Sequence, residues 1–302
     1  MMSGMSTLPS GTQYEIGAGD YRATVVETGA GLRELTHRGV PLVDGYRPEE
    51  MCAGARGQLL LPWPNRIGDG RYRFGGDEHQ LPLTEVGDRN AIHGLTRWTS
   101  WTLAEHDADR VRLTYRLPAQ PGYPFVLDLA AEYRLTAHGG LTVAVTAVNP
   151  GERPAPYGAG AHPYLTVGVP VDEAQVTIPA ATRMLTDARN LPAGTEPVDG
   201  TPYDLRRPRV LGDLEINHPY TDLERDATGK AWARVTHGPR CVALWADEAH
   251  GWLQVFTGDR GALAVEPMTC PPDAFATGTG LITLAPGASV TSAWGVRADA
   301  AS

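Results

Sequence analysis

The chain has 302 residues, with 35 acidic and 26 basic side chains and a formal net charge of −9. This acidic balance, without any run of Lys or Arg, argues against a nucleic-acid or anionic-membrane partner, because both need clustered positive charge. Three cysteines without paired spacing suggest neither a disulfide framework nor a thiolate zinc site, and no window approaches the roughly 20 apolar residues of a membrane span. We therefore expect a cytoplasmic protein, monomer or homodimer, that acts on a small neutral molecule or metabolite.

Short segments with two-residue apolar alternation, separated by Gly and Pro, dominate the chain after a lead-in over residues 1–12 that is predicted to be disordered. No segment sustains a 3.6-residue apolar period over three turns. The predicted strands, in chain order, are 21–27, 71–76, 98–106, 110–117, 175–178, 231–236, 240–246, 252–257, 262–266, 281–284 and 289–296.

The clearest element is a hairpin over residues 125–148, with its turn at Gly139 and Gly140. Its strict alternation indicates one buried face on each strand. More than ten strands without helices between them exclude a βαβ fold, so we predict an all-β protein, a large antiparallel β-sandwich formed by one domain over residues 13–302. Residues 179–219 lack the alternation and are predicted to form long loops over the sandwich.

Three segments carry candidate acid and base groups. His162 lies in a bend rich in small residues, and these residues are expected to leave open space beside the imidazole. Glu266 ends an apolar run, where a buried carboxylate needs a partner or a use, and burial would raise its pKa. His93 follows Asn90-Ala-Ile. A purely structural role remains open for each residue. Either histidine could be hydrogen-bonded to the backbone of its turn, and Glu266 could form an ion pair at the end of its strand.

A fourth segment, Pro62-Trp63-Pro64-Asn65-Arg66, combines a restrained backbone with a guanidinium suited to hydroxyl or carboxylate oxygens. Trp63 is either a lid on the core or an aromatic surface for a ligand. The adjacent Asn65 and Arg66 need polar partners within an apolar stretch, which makes them candidate ligand-binding residues.

These four segments, in this order, resemble the aldose 1-epimerase (galactose mutarotase) family. The matching stretches are 64–72, 90–94, 160–165 and 266–275, and the similarity extends over about residues 14–297. The resemblance implies a galactose-mutarotase-type sandwich that binds a sugar and needs neither metal nor cofactor.

The resemblance also implies roles in interconverting the α and β anomers of a free hexose such as glucose or galactose. Glu266 would take the proton of the anomeric hydroxyl, and His162 would protonate the ring oxygen, with His93 assisting. The ring then opens and closes again from the other face. Arg66, with Asn65, would hold hydroxyl groups, and Trp63, Tyr164 or another aromatic residue would stack on the sugar.

Two positions depart from the family pattern, and the smaller difference is Ala276, where relatives often have asparagine. The family usually has an aspartate where this chain has Asn217. Asparagine can hydrogen-bond a hydroxyl but carries no charge. The sequence therefore does not determine which sugar is bound. Asp222 would replace the missing carboxylate only if its loop were shifted.

Three other functions remain open. A hexose-6-phosphate epimerase of the same fold would need cationic groups at the cleft, for which the candidates are Arg56, Arg71, Arg97, Arg206 and Arg207. A non-catalytic sugar-binding or sensor protein would keep the cleft without activity. A cupin-like metal enzyme would use His93, His162 and Glu266 as ligands, although closely spaced ligand motifs are missing from the sequence.

Overall fold

The computed structural model describes residues 8–300, in which the chain forms 27 strands and one short helix. The first strands are β1 (Gln13–Ala18), β2 (Tyr21–Val26), β3 (Leu32–His37), β4 (Val40–Pro41), β5 (Leu59–Leu60), β6 (Arg66–Gly68), β7 (Arg71–Phe74), β8 (Asp77–Gln80), β9 (Asn90–Ile92), β10 (Thr102–His106), β11 (Arg110–Leu117), β12 (Leu127–Thr136), β13 (Gly140–Val148) and β14 (Ala155–Tyr157). They are followed by β15 (Gly160–Ala161), β16 (Tyr164–Leu165), β17 (Gln175–Thr177), β18 (Ala180–Thr186), β19 (Pro192–Pro197), β20 (Arg209–Val210), β21 (Asn217–Leu223), β22 (Ala231–His237), β23 (Arg240–Ala246), β24 (Trp252–Phe256), β25 (Leu263–Met268), α1 (Ala274–Thr277), β26 (Ile282–Leu284) and β27 (Ser289–Ala300).

Two large antiparallel sheets form the body of the protein and confirm the predicted all-β sandwich. The first has the order β10-β11-β12-β13-β27-β23-β22-β17-β20, and the second has the order β19-β18-β21-β24-β25-β15-β5, with β16 also paired to β25. A four-stranded sheet, β1 to β4, and the pairs β6-β9, β7-β8 and β14-β26 complete the fold. No helix in residues 8–300 is long and apolar enough to cross a membrane.

The hairpin of β12 and β13 forms as its alternation predicts. Leu129 and Tyr133 are buried, opposite Ala147 and Val143, whereas Glu132 on the other face is partly exposed. Burying a large apolar side chain contributes about 1.5–3 kcal/mol. The two-residue period therefore determines which face of this pair of strands joins the core.

The predicted loops over residues 179–219 are a correction, because this region contains β18, β19, β20 and the start of β21. Their sequences lack a clear apolar alternation because these strands lie at or near sheet edges and are only partly buried. Pro192 and Pro197 begin and end the edge strand β19, where a missing amide donor costs little. The strand predicted at 98–106 likewise begins only at Thr102.

Of the predicted lead-in, residues 1–7 lie outside the described residues. In the remainder, the carbonyl groups of Ser10 and Thr12 accept hydrogen bonds from the amides of Thr28 and Glu27. Ser10 is buried. This contact joins the segment before β1 to the end of β2.

Candidate active site

A row of polar side chains crosses the centre of the eight-stranded sheet. In the register of β24 and β25, Gln254 lies directly opposite Glu266. On the other side of β25, β16 pairs with its first half and β15 with its last residue. Continuing this register places His162 beside Glu266. Since directly opposite residues project from the same face of a sheet, the three side chains lie on one face.

The row continues beyond His162 to Gln58, whose carbonyl accepts the His162 amide proton at 3.0 Å. At the other end, β21 pairs with β24 so that Asn217 starts beside Phe256. Pro219 is the residue of β21 opposite Gln254, and Asn217 lies two residues away on the same face, where its Oδ1 accepts a hydrogen bond from Gln254. The side chains therefore follow one another in the order Asn217, Gln254, Glu266, His162 and Gln58. We call this set the polar row.

The chain around His162 is shaped by packing rather than by open space, which corrects the sequence-based interpretation of its small residues. A Cβ added at Gly158 would lie 2.4 Å from Cys270 Sγ, and one at Gly160 would lie 2.7 Å from Pro64 Cβ. Both glycines permit close contact between segments of the core. The space beside the imidazole arises where the sheet meets the loops above it.

His162 and Glu266 form a buried acid–base pair, with 3.3 Å between Nε2 and Oε1. Burial raises the pKa of the Glu266 carboxyl to about 8, and the charge of Arg66 opposes this shift. Burial also lowers the pKa of the His162 imidazole to about 3. Both groups are therefore neutral at pH 7, with one dissociable proton on the pair, held by Glu266.

His93 faces the same pair from a loop, and its ring centroid lies 5.4 Å from that of His162. Its Nδ1 accepts a hydrogen bond from the Asn65 amide at 3.2 Å, while the Asn65 carbonyl accepts one from the His93 amide at 2.8 Å. Burial, followed by the influence of His162, holds the pKa of His93 well below its ordinary value. Neutral His93 therefore carries its proton on Nε2 and acts as a donor there.

Asn65 and His93 both have positive φ angles, 55° and 62°. Such backbone conformations are costly for residues other than glycine and often occur at functional sites. The reciprocal hydrogen bonds between the two residues hold this geometry. Asn65 Nδ2 also donates to Gln254 Oε1 at 3.2 Å, which fixes the loop against the polar row.

Arg66 forms a bidentate ion pair with Glu85, in which Nε and Nη2 each lie 2.8 Å from one carboxylate oxygen. Its Nη1 donates to Asn65 Oδ1 at 3.3 Å. Gln254 Nε2 in turn donates to Asn217 Oδ1 at 2.7 Å, and Asn217 Nδ2 donates to Asn190 Oδ1 at 3.1 Å. This chain of amides orients the polar groups at one end of the site.

A cavity of about 300 Å³ lies over the polar row. It is lined by most of the residues predicted for the site, namely Asn65, Arg66, His93, His162, Tyr164, Asn217 and Glu266. The ring of Tyr164 stacks on that of His162, with the centroids 5.0 Å apart, and its hydroxyl donates to the Gly54 carbonyl.

Two predicted site residues are not at this cavity. Trp63 is 2% exposed and packs against Phe275, 5.6 Å between ring centroids, so it belongs to the core. Asp222 is exposed near the far end of β21, five residues from Asn217, which corresponds to about 16 Å along a strand. Neither side chain lines the space above His162 and Glu266.

The cavity also contains residues that the sequence did not single out as sugar-binding. Gln254 is a buried polar residue inside an apolar strand, and that pattern alone would have identified it as a candidate. Trp98 is 53% exposed at the cavity and supplies an aromatic surface that Trp63 does not. Arg97 and Phe256 complete this part of the lining.

The same three acid–base residues could hold a cation. One ligand atom from each of His93, His162 and Glu266 lies within 4.8 Å of the other two, and all three residues are buried. Two neutral imidazoles and a carboxylate suit zinc. Because His93 Nδ1 accepts the Asn65 amide proton, only its Nε2 would be free to bind a metal.

The chain belongs to the aldose 1-epimerase family, whose sequence model, described as aldose 1-epimerase, matches residues 12–296. The uncharacterized protein YihR of Escherichia coli K12 is 40% identical over 92% of this chain and 90% of its own length. Galactose mutarotase of Rattus norvegicus is 31% identical over 72% of this chain and 65% of its own length.

Solved structures have the same fold. A putative aldose 1-epimerase of Escherichia coli K12 superposes with a TM-score of 0.82 at 22% identity, covering 96% of this chain and 99% of that one. Galactose 1-epimerase of Lactobacillus acidophilus NCFM also gives a TM-score of 0.82, at 20% identity, covering 95% of this chain and 93% of that one. The galactose-mutarotase type of sandwich predicted from the sequence is thus confirmed.

Proposed function

We propose that this protein interconverts the α and β anomers of an aldohexose, with Glu266 as the base and His162 as the acid. The observation that carries the proposal is the buried pair itself, with 3.3 Å between His162 Nε2 and Glu266 Oε1 beneath a cavity lined by polar side chains. Relatives named galactose mutarotase and galactose 1-epimerase favour a hexose as the substrate.

The proton content of the pair fits the reaction. The neutral pair and its ion-paired form, carboxylate with imidazolium, differ only in where one proton lies. In the ion-paired form, Glu266 accepts the proton of the anomeric hydroxyl as the C1–O5 bond breaks, and His162 gives its proton to O5. The open-chain aldehyde then faces a neutral pair, which burial favours. Rotation about C1–C2 and the reverse transfers give the other anomer.

The surrounding residues would hold the sugar without taking part in the proton transfer. The Nε2 proton of His93 is available to the ring oxygen, and Arg66 offers donors fixed by Glu85. Gln254 and Asn217 lie at the Glu266 end of the polar row, where the hydroxyl groups next to C1 would lie. Trp98 offers an aromatic surface for the apolar face of the ring.

Polarimetry of freshly dissolved α-D-glucose and α-D-galactose tests this proposal. The wild-type protein should speed the approach to anomeric equilibrium, and Glu266→Gln and His162→Asn should each lose roughly 10²- to 10⁴-fold in rate, the usual contribution of a general acid or base. Glu215→Gln, at an exposed glutamate, is the matched control. A fully active Glu266→Gln protein would show that the base is wrong.

Two rival functions make different predictions. A non-catalytic sugar-binding protein would bind hexoses but leave their anomerisation rate unchanged. A metal-dependent enzyme is a second candidate because the ligand atoms of His93, His162 and Glu266 converge. In that case the purified protein would contain stoichiometric metal and lose activity to a chelator, whereas proton transfer by the pair predicts full activity after chelation.

A further inference from the structure

The arginines near the cavity differ in how their charge is balanced. Arg66 is paired with Glu85, and Arg56 is paired with Asp44 and Asp259. Arg97 lines the cavity, but among residues 8–300 no carboxylate oxygen lies within 4.0 Å of its guanidinium. Within the described part of the chain its side chain makes one hydrogen bond, with 3.4 Å between Nη1 and Gln58 Oε1.

The partial burial of Arg97 makes its unpaired charge energetically unfavourable. Burial lowers the pKa of Arg97, because a guanidinium removed from water without an anionic partner is destabilised. Of the described residues that line the cavity, Glu266 is the one with an acidic side chain, and its carboxyl oxygens lie more than 4.0 Å from this guanidinium. The cavity is therefore electropositive at the Arg97 end, and an anionic ligand group would relieve the cost.

The order of the residues along the polar row determines which part of a bound sugar would lie near Arg97. The Arg97 guanidinium lies beyond His162, where it is hydrogen-bonded to the side chain of Gln58. Asn217 lies at the opposite end of the polar row, beyond Gln254. When O1 of a pyranose is at Glu266 and O5 at His162, C2 continues toward the Asn217 end. On the other side of O5, C5 and its C6 substituent continue toward Arg97.

We propose that Arg97 forms a subsite for an anionic oxygen group, a carboxylate or a phosphate, at C6 of the sugar. This proposal rests on the proposed anomerisation, which fixes how the ring lies on the pair. A planar guanidinium can bind either group through two parallel hydrogen bonds. Of the arginines considered from the sequence for such a group, Arg56, Arg71, Arg206 and Arg207 do not line the cavity, and Arg97 does.

Calorimetric titration compares glucose, glucuronic acid and glucose 6-phosphate on three proteins, namely wild type, Arg97→Gln and the control Arg207→Gln. Arg207 is exposed and outside the cavity, so the control removes the same charge without touching the subsite. In wild type and control, at least one anionic sugar should bind roughly 10- to 100-fold more tightly than glucose, because a charged hydrogen bond contributes that much. In Arg97→Gln the ratio should fall to near one.

Equal affinity of the wild type for all three sugars would overturn the subsite, and so would an anionic preference that survives in Arg97→Gln. Polarimetry on the same sugars separates this outcome from the proposed function. Anomerisation that depends on Glu266 but shows no anionic preference removes only the subsite. Arg97-dependent binding of an anionic sugar without anomerisation removes the proposed function and keeps the anion site.

Discussion

The proton shared by Glu266 and His162 determines how activity should depend on pH. Because the pKa of Glu266 is raised to about 8 and that of His162 is lowered to about 3, the pair keeps one proton between these values. Above pH 8 that proton is lost and no acid remains for the ring oxygen. We expect enzyme-dependent kcat/KM to be level near neutral pH and to fall tenfold per pH unit above about 8.

This profile is measured by polarimetry, with the buffer rate subtracted at each pH. An ordinary glutamate base and histidine acid would instead give a bell with limbs near their usual values of about 4.3 and 6.5. A profile whose upper limb lies near 6.5 would therefore contradict the shared neutral pair. His162→Asn should remove most of the activity at every pH.

Asn217 occupies a position where an acidic residue fits the hydrogen-bond network. Its Oδ1 accepts from Gln254, a role that a carboxylate keeps, and its Nδ2 donates to Asn190 Oδ1, which an amide flip at Asn190 would replace. We expect Asn217→Asp to lower KM for a neutral hexose by up to about tenfold, because a charged acceptor binds a hydroxyl more strongly. Asn217→Ala should raise KM, and a higher KM for Asn217→Asp would show that asparagine suits the natural sugar better.

The loop after β9 holds His93 in place only if Gly94 remains glycine. Gly94 has a φ of 74°, and a Cβ there would lie 2.0 Å from the Leu61 carbonyl oxygen. We expect Gly94→Ala to reduce the free energy of unfolding by about 2–5 kcal/mol, from the left-handed backbone and from overpacking. Urea unfolding measures the change.

Gly251→Ala is the matched control, because no atom lies within 4 Å of a Cβ at that position. It should change the free energy of unfolding by less than about 0.5 kcal/mol. Equal stability of the two alanine variants would mean that the loop carrying His93 can shift without cost. In that case the reciprocal hydrogen bonds of His93 and Asn65 would not define a rigid site.

The stability of the folded protein should depend on pH because it contains a buried carboxyl with a raised pKa. Unfolded Glu266 ionises near 4.5, whereas in the folded protein it stays protonated to about 8. Its favourable contribution is therefore complete below 4.5 and is lost as the pH rises toward 8. Relative to Glu266→Gln, the wild type should lose about 2–4 kcal/mol of stability between pH 5 and pH 8.5.

Urea titrations of both proteins at the two pH values measure this difference, and Glu215→Gln reports the effect of removing an exposed carboxyl. Only the wild-type protein and this control should show the loss. A constant difference between wild type and Glu266→Gln would mean that Glu266 is ionised in the fold at both pH values.

Much of the fold could be predicted because its strands alternate over long stretches. The side chains of β12 and β13 point alternately into and out of the core, and this local property is visible in the sequence. The partly buried edge strands β18 and β19 carry no such pattern, and only their pairing with β21 defines them.

The sequence alone identifies Glu266 and His162 as candidate acid and base groups, because a carboxylate at the end of an apolar strand needs a partner and an imidazole titrates near neutral pH. Only the tertiary structure decided which side chains face them. Gln254, Glu266 and His162 come from separate segments, and strand register alone places them in one row. Packing against Phe275 places Trp63 in the core, and a hydrogen bond to Gln58 places Arg97 beyond His162. Such contacts join segments that are distant in the chain, so no local pattern reveals them.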